Sequence, residues 1–508
     1  MVRETVGTAA VQHPFNSTPP HSVPLRWDPT ASHPHIPLRH QCIARIRKQH
    51  QQVLGPHVQS VVGQARYYHH DRRRHDRHHH PLLLVDPAYH QNVGDHMITL
   101  GELAFLRRSI GDLVRPASMT DHTTTTTTTT TTKEEDTRLT HWLDQCHYVQ
   151  ARNFVISCDD FLSSHQPNQT TKQTNEPYLA VWHGGGNWGD LWRIAQVKRI
   201  ESLQHLLANN YTVLGMPQSY HYDQKLTEHR DFYEMQKQIL LGLGWWNRSS
   251  EHMAELAAEV DQHMRAIAAT RHDRKLPLLS AFDDGPIWNQ TRARLIFTWR
   301  EAESFQTAKR MYPYATNLLV PDIAFQLGPY QAQPPTRNSR MLQDDILLFL
   351  RADLESTLSQ QRDKRSIRRM LDQDVPGDTD TITFRIVDWP DRLGLFDSPD
   401  IYFTDTSIRL MSLGRVVICD RLHAAILCYI TGIPFIFIDQ ATGKISKAFR
   451  VAFGMAGGDC SNGSAAMWAH AQNLTHALTL AVGFLEQYQL GSTEKHLAML
   501  RQRKNGPA

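Results

Sequence analysis

Residues 415–439 read RVVICDRLHAAILCYITGIPFIFID. Two unbroken apolar runs, Arg415 to Cys419 and Pro434 to Asp439, have the length and the continuous hydrophobicity of strands buried on both faces of a sheet. Between them, Ala424 to Ile430 carries a helical pattern, so the stretch reads strand, turn, helix, strand. Working outward, the same alternation recurs. Further candidate strands are Leu82 to Asp86, Tyr178 to His183, Tyr211 to Met216, Leu276 to Phe282, Leu295 to Trp299, Asn317 to Asp322, Asp345 to Arg351 and Ile382 to Asp388. Candidate helices are Asp95 to Ser109, Asp190 to Leu207, Ser250 to Ala268, Glu301 to Tyr312 and Ala465 to Gln489. Strands alternating with helices predict an α/β fold with parallel sheets, and a chain of 508 residues requires two such domains.

The composition is that of a globular protein: 54 Lys+Arg against 51 Asp+Glu, 40% hydrophobic and 21% charged residues. No apolar run of about 18 residues occurs, so no transmembrane segment is expected. Residues 1–80 hold 11 Lys+Arg and 4 Asp+Glu, which leaves 43 and 47 for the remainder. The positive charge is therefore concentrated in a terminal appendage and does not form a basic binding face, and no nucleic-acid partner is expected. Residues 1–80 are rich in Pro, His, Gln and Arg and end in RYYHHDRRRHDRHHH (66–80), which predicts a disordered basic tether. Ten threonines, Thr123 to Thr132, mark a surface loop over 121–137. The domains expected are 81–330 and 340–455, separated by the Pro-rich stretch Gly328 to Asp344 and followed by a helical segment at 465–500. Six widely spaced cysteines without C-x-x-C read as buried free thiols. Asn-x-Ser/Thr sequons, among them Asn16, Asn168, Asn247, Asn289, Asn462 and Asn473, permit a lumenal route such as the Golgi. Met1 to Val61 shows no secretory signal, which leans the expectation toward an intracellular site, either the cytoplasm or the Golgi lumen.

Ligands of parallel α/β sheets bind beyond the carboxyl ends of the strands, and five turns there carry unusual residues. Leu82 to Asp86 runs toward Asn92-Val93-Gly94-Asp95 and a helix. Tyr178 to His183 enters Gly184-Gly185-Gly186-Asn187-Trp188-Gly189-Asp190, where three adjacent glycines exceed what one turn needs. Both read as glycine turns at a helix N-terminus, a place that favours an anion. Cys419-Asp420-Arg421-Leu422-His423 sets an arginine able to fork an anion two residues from a histidine able to exchange a proton. Arg300, after Leu295 to Trp299, reads either as a helix-start charge or as a second anion ligand. Lys444, after the last strand, reads either as plain surface or as a cation on the same rim.

Several chemistries are excluded or disfavoured. H-E-x-x-H, G-x-S-x-G and the Walker motif are absent, which removes zincins, α/β-hydrolases and P-loop NTPases. Gly184, Gly186 and Gly189 match G-x-G-x-x-G, but the strand that follows offers no ribose-binding acid before Asp223, so a dinucleotide is disfavoured. Asp378-Thr379-Asp380 lies in a Pro/Gly-rich turn, and no metal is expected.

Taken in order, HGGGNWGDLW (183–192), GMPQSYHY (215–222), WREAES (299–304), VPDIAFQLG (320–328), DRLHAAILCYITGIPFIFID (420–439) and GKIS (443–446) resemble the polysaccharide pyruvyl transferase family. The resemblance implies two Rossmann-like domains facing across a cleft, similar to the GT-B glycosyltransferase architecture. It implies transfer of the carboxyvinyl unit of phosphoenolpyruvate onto two hydroxyls of a glycan sugar, giving a pyruvate ketal and phosphate, with no cofactor beyond the donor itself. It makes His423 the acid/base residue and has Arg300 and Arg421 hold the donor's phosphate and carboxylate. Lys444, Gly185, Gly186 and Asn187 join the donor contacts, and Asn92, Asp95, His183, Asp190, Gln218 and Arg351 complete the candidate set. A GT-B-like glycosyltransferase using a nucleotide sugar and a non-catalytic carbohydrate-binding relative are the alternatives.

Overall fold

The computed structural model describes residues 35–71, 83–85, 93–114, 147–149, 178–189, parts of 199–207, 211–221, 292–330 apart from 313 and 314, parts of 344–389, 407–439, 442–460 and 467–489. The chain divides into two compact units. Unit 1 draws its described residues from Lys48–Ala88 and Ile98–Ile323, and unit 2 from Pro20–Arg47, Tyr89–Met97 and Ala324–Ala508. Each holds one parallel sheet, as the alternating pattern predicts.

Unit 1 contains β1 (Leu83–Val85), β2 (His147–Val149), β3 (Tyr178–Trp182), β4 (Gly185–Gly189), β5 (Tyr211–His221), β6 (Leu295–Trp299) and β7 (Thr316–Leu319). Their order is β2-β1-β3-β5-β6-β7, with β4 also on β5. The first half of the long β5 pairs with β3, Trp182 opposite Gly215, and its second half with β4, Gly185 opposite Gln218. Helix α1 (His35–Asp71) contributes Leu54, Val58 and Val61 to this unit's core, and α2 (Val93–Val114) contributes Ile98, Leu103, Phe105 and Leu106. Helix α3 (Ala302–Met311) follows β6.

Unit 2 contains β8 (Asp344–Phe349), β9 (Phe384–Val387), β10 (Gly414–Cys419), β11 (Phe435–Ile438) and β12 (Trp468–Ala471) in the order β12-β11-β10-β8-β9. Its helices after α2 are α4 (Lys364–Asp374), α5 (Leu422–Thr431), α6 (Lys444–Ala456) and α7 (Leu474–Gln489). The strand side chains alternate between two cores. Leu347, Phe349, Val417, Cys419, Phe435 and Phe437 face α5, α6 and the first turns of α1. Ile346, Leu348, Val416, Ile418, Ile436 and Ile438 face α4 and α7. Burial on both faces is what makes these strands read as unbroken apolar runs. Two parallel sheets of this kind are consistent with Rossmann-like domains.

Three features differ from the sequence expectation. Within residues 1–80, His35–Asp71 is a helix built into the fold. Cys42, Ile43 and Ile46 lie in the core of unit 2, and Leu54, Val58 and Val61 in that of unit 1. These positions form a three-and-four-residue stripe that the basic composition and the internal Pro56 mask. Arg39 donates to the carbonyls of Tyr429 and Ile430 at the end of α5, and Arg45 to that of Gly457 just past α6. Carbonyls left over at helix ends are satisfied in this way by basic side chains. Burial pushes the Arg39 pKa down to about 10.

Second, Cys42 and Cys460 form a disulfide, while Cys419 and Cys428 are buried free thiols as expected. Cys146 and Cys158 lie outside the described residues. Third, the segment expected as a helix from Ala465 contains strand β12 before α7 begins at Leu474, and both pack on unit 2's sheet. The division between units falls at Ile323/Ala324, before the Pro-rich stretch. Residues 121–137, Leu276 to Phe282 and Ser250 to Ala268 lie outside the described residues. No helix among the described residues is long and apolar enough to cross a membrane.

Candidate functional site

In unit 2 the chain steps from β8 to β9 on one side, then crosses to β10, β11 and β12 on the other, so strand order reverses between β8 and β10. The crevice outside such a reversal is the ordinary ligand position of open parallel sheets. The register aligns Cys419 with Phe349 and Phe349 with Val387, so the residues just past that row share one rim. Asp420-Arg421 leaves β10 there, Leu350-Arg351 leaves β8, and Asp388 leaves β9.

The rim is a linked set of charges. The Arg351 N–H donates to Asp420 Oδ1 at 2.9 Å across the reversal. Arg421 Nε and Nη2 donate to Asp388 Oδ1 and Oδ2 at 2.8 and 3.0 Å, a bidentate pair. Burial raises the Asp420 carboxyl to about 6, against the lowering effects of the Arg351 N–H and the Arg421 and Arg351 charges. His423 sits half-buried in the first turn of α5, where the positive end of the helix dipole lies. Next along the sheet, Asp439 follows β11 and accepts from the Ile445 and Ser446 N–H groups at 2.9 and 3.3 Å, capping the start of α6. Lys444 opens that helix, whereas the sequence suggested only a rim turn there. Arg421, His423, Arg351 and Lys444 are thus brought to the carboxyl ends of one sheet.

Unit 1 repeats the topology with different contents. Its strand order reverses between β1 and β3, and the His183 N–H donates to the Val85 carbonyl at 3.0 Å. His183 Nδ1 lies 3.3 Å from Glu102 Oε2, and the Gly184 N–H donates to Glu102 Oε1 at 2.9 Å. His183 is 2% exposed and Glu102 fully buried. The glycine turn expected after β3 is strand β4 from Gly185 onward, with no helix N-terminus at Gly185, Gly186 or Asn187. Two facts account for this. A Cβ on Gly184 would lie 2.7 Å from the Pro217 carbonyl, so the chain passes too close for any side chain. Trp188 is fully buried, with its ring 5.0 to 6.4 Å from Trp182, Phe297, Trp299 and Tyr312 and its Nε1–H on the Tyr312 hydroxyl at 2.9 Å. Burying so large a side chain draws the segment inward along β5.

Arg300, at the end of β6, is 2% exposed and enclosed. Its Nη1 meets Asp322 Oδ2 at 2.6 Å and its Nε donates to Ser219 Oγ at 2.9 Å. Ser219 Oγ donates to Glu301 Oε1 at 2.6 Å, Ser304 Oγ donates to Glu301 Oε2 at 3.0 Å, and the Tyr220 N–H donates to Ser304 Oγ. GMPQSYHY, WREAES and VPDIAFQLG therefore meet in one buried network. Gln218 is buried in β5, and Asp95 in the first turn of α2, in a segment that belongs to unit 2. Asn92, Asp190 and the side chain of Asn187 lie outside the described residues. Sequence reasoning missed Asp388, Glu102, Asp322 and Glu301. Asp322, Glu301, Ser219 and Ser304 stand inside the quoted motifs and could have been found there, whereas nothing local marks Asp388.

A 143-residue stretch, 26% of this chain, is 32% identical to "Pyruvyl transferase 1" of Schizosaccharomyces pombe. The chain matches about a third of that relative's length, 32%. Among solved structures, a functionally uncharacterized protein of Klebsiella pneumoniae is similar over 73% of this chain and 88% of its own, at 12% identity and a TM-score of 0.33. Residues 291–441, the stretch that holds Arg300, Asp388, Arg421 and His423, match the family model of the polysaccharide pyruvyl transferases.

Proposed function

We propose that this protein transfers pyruvate from phosphoenolpyruvate onto two hydroxyls of a glycan sugar, producing a cyclic pyruvate ketal and phosphate. The observation that carries the reading is the turn Asp420–His423, which lies at the strand-order reversal of unit 2 inside the stretch matching the transferase model. Phosphoenolpyruvate is a small anion with two acidic groups, which suits a fixed guanidinium beside a helix N-terminus. Arg421 takes one anionic group, with Arg351 and Lys444 as neighbouring cations.

His423 is assigned the proton. A proton added to the methylene carbon of the donor makes it a methyl group and leaves the adjacent carbon cationic. A sugar oxygen attacks that carbon and gives up its own proton. The carbon–oxygen bond to phosphate then breaks with its electron pair on phosphate, and a second sugar hydroxyl closes the ketal. Of the two hydroxyl protons released, one balances the proton given to carbon and the other leaves with phosphate. General acid catalysis of this kind contributes about 10² to 10⁴-fold.

The test is phosphate release and acceptor mass gain with phosphoenolpyruvate and a panel of galactosides and other hexosides, set beside nucleotide-sugar donors. Release that depends on both phosphoenolpyruvate and a sugar is expected. Transfer from a nucleotide sugar alone, or no transfer from any donor, would overturn the reading.

A further inference from the structure

Arg421 and Asp388 stand at the ends of strands that are not neighbours, because β8 lies between β10 and β9. Adjacent strands are about 4.8 Å apart, so the two strand ends are separated by about 10 Å. To reach Asp388, the Arg421 side chain must lie laterally across the end of β8, over the reversal, instead of extending into water. The two bonds at 2.8 and 3.0 Å fix the plane of the guanidinium as well as its position. The pair is only partly exposed, 14% for Arg421 and 10% for Asp388.

We propose that Asp388 is a positioning residue, which holds the Arg421 guanidinium across the crevice in the orientation that receives the donor's anionic group. An arginine free to sample its rotamers must be ordered when the anion binds, and that cost appears as weaker donor affinity. An aspartate that fixes the guanidinium beforehand removes the cost, at the expense of placing a negative charge near an anion. Orientation is the larger effect here because Asp388 meets Nε and Nη2 from one side. The inference rests on the proposed donor reading, and the following measurements separate the two.

Asp388→Asn, which keeps the shape but loses the charge, is compared with wild type for KM, kcat and thermal unfolding, using phosphoenolpyruvate and the acceptor found active. KM for the donor should rise about ten-fold, with kcat changing much less and the melting temperature near wild type. Asp388→Glu should recover part of the loss, and it serves as the second variant if Asp388→Asn does not fold. In an Arg421→Lys background the Asp388→Asn change should add little, since lysine has no fork to orient. An unchanged or lower KM, or the same rise in the Arg421→Lys background, would overturn the positioning role alone. A wild type that never releases phosphate from phosphoenolpyruvate overturns the donor reading and this inference with it.

Discussion

The two sheets reverse strand order in the same way, yet the rims beyond the two reversals have opposite characters. In unit 1, Glu102 closes the reversal by accepting from Gly184 and pairing with His183, and Arg300 is sealed among Asp322, Ser219 and Glu301. In unit 2, Arg421 and His423 stand partly exposed, with Asp388 paired to Arg421 and Asp420 accepting from the Arg351 N–H. An arginine at a strand end is thus enclosed by its partners in one unit and partly exposed in the other. The two sets therefore differ in whether the guanidinium is buried or partly exposed. Changes in the unit 1 set should therefore be read out as stability, and changes in the unit 2 set as turnover.

The largest expected effect tests the helix that supplies both cores. Deleting residues 1–71 removes Cys42, Ile43 and Ile46 from one core and Leu54, Val58 and Val61 from the other. Each large buried aliphatic lost costs about 2–5 kcal/mol, against a total stability of about 5–15 kcal/mol. No cooperative thermal transition should remain, and a truncated chain melting like the full one would mean that α1 is not part of the fold.

Next is Asp322→Asn, which strands a buried guanidinium. Breaking such a pair costs about 3–5 kcal/mol, and the loss should appear in denaturant unfolding. If stability is kept while donor affinity falls, Arg300 belongs with the chemical rim and the contrast between the units fails. The disulfide comes third. Cys42→Ala should cost about 2–4 kcal/mol in unfolding, and reducing agent should produce the same loss in wild type. Wild type that is indifferent to reductant would contradict the Cys42–Cys460 bridge.

The smallest effect is a pH dependence in unit 2. The Asp420 carboxyl titrates near 6 when folded and near its ordinary 3.8 when unfolded. The folded state therefore holds the proton more tightly, so this group's contribution to stability is full below about pH 4 and is lost as the pH rises through 6. Asp420→Asn keeps an oxygen for the Arg351 N–H and removes the titration. Its melting temperature should fall less than that of wild type between pH 4 and 6, and parallel profiles would show that burial does not hold the proton there.

Much of this was legible in the sequence, for identifiable reasons. Leu295–Trp299 and the run ending at Cys419 are buried on both faces, so their apolar continuity survives any local context. The Asp420–His423 turn could be found because strand, turn and helix are contiguous there. Helix α1 was hidden because its stripe is spread through a Pro-, His- and Arg-rich stretch, and composition outweighed period. Strand β4 was hidden because glycines signal a turn, whereas here Gly184, just before the strand, permits close passage by Pro217 and Trp188 within it is fully buried. Asp388 and the Cys42–Cys460 pair depend on residues 33 and 418 positions apart, which only the folded chain brings together.

The central claim is that the rim of unit 2 performs the chemistry and that His423 supplies its proton. The direct measurement is thermal unfolding and single-turnover phosphate release from phosphoenolpyruvate on one preparation of His423→Ala beside wild type. The account predicts an unchanged melting temperature, donor affinity altered little, and phosphate release slowed by about 10² to 10⁴-fold, since the imidazole acts mainly in the transition state. A folded His423→Ala protein that releases phosphate at the wild-type rate would contradict it.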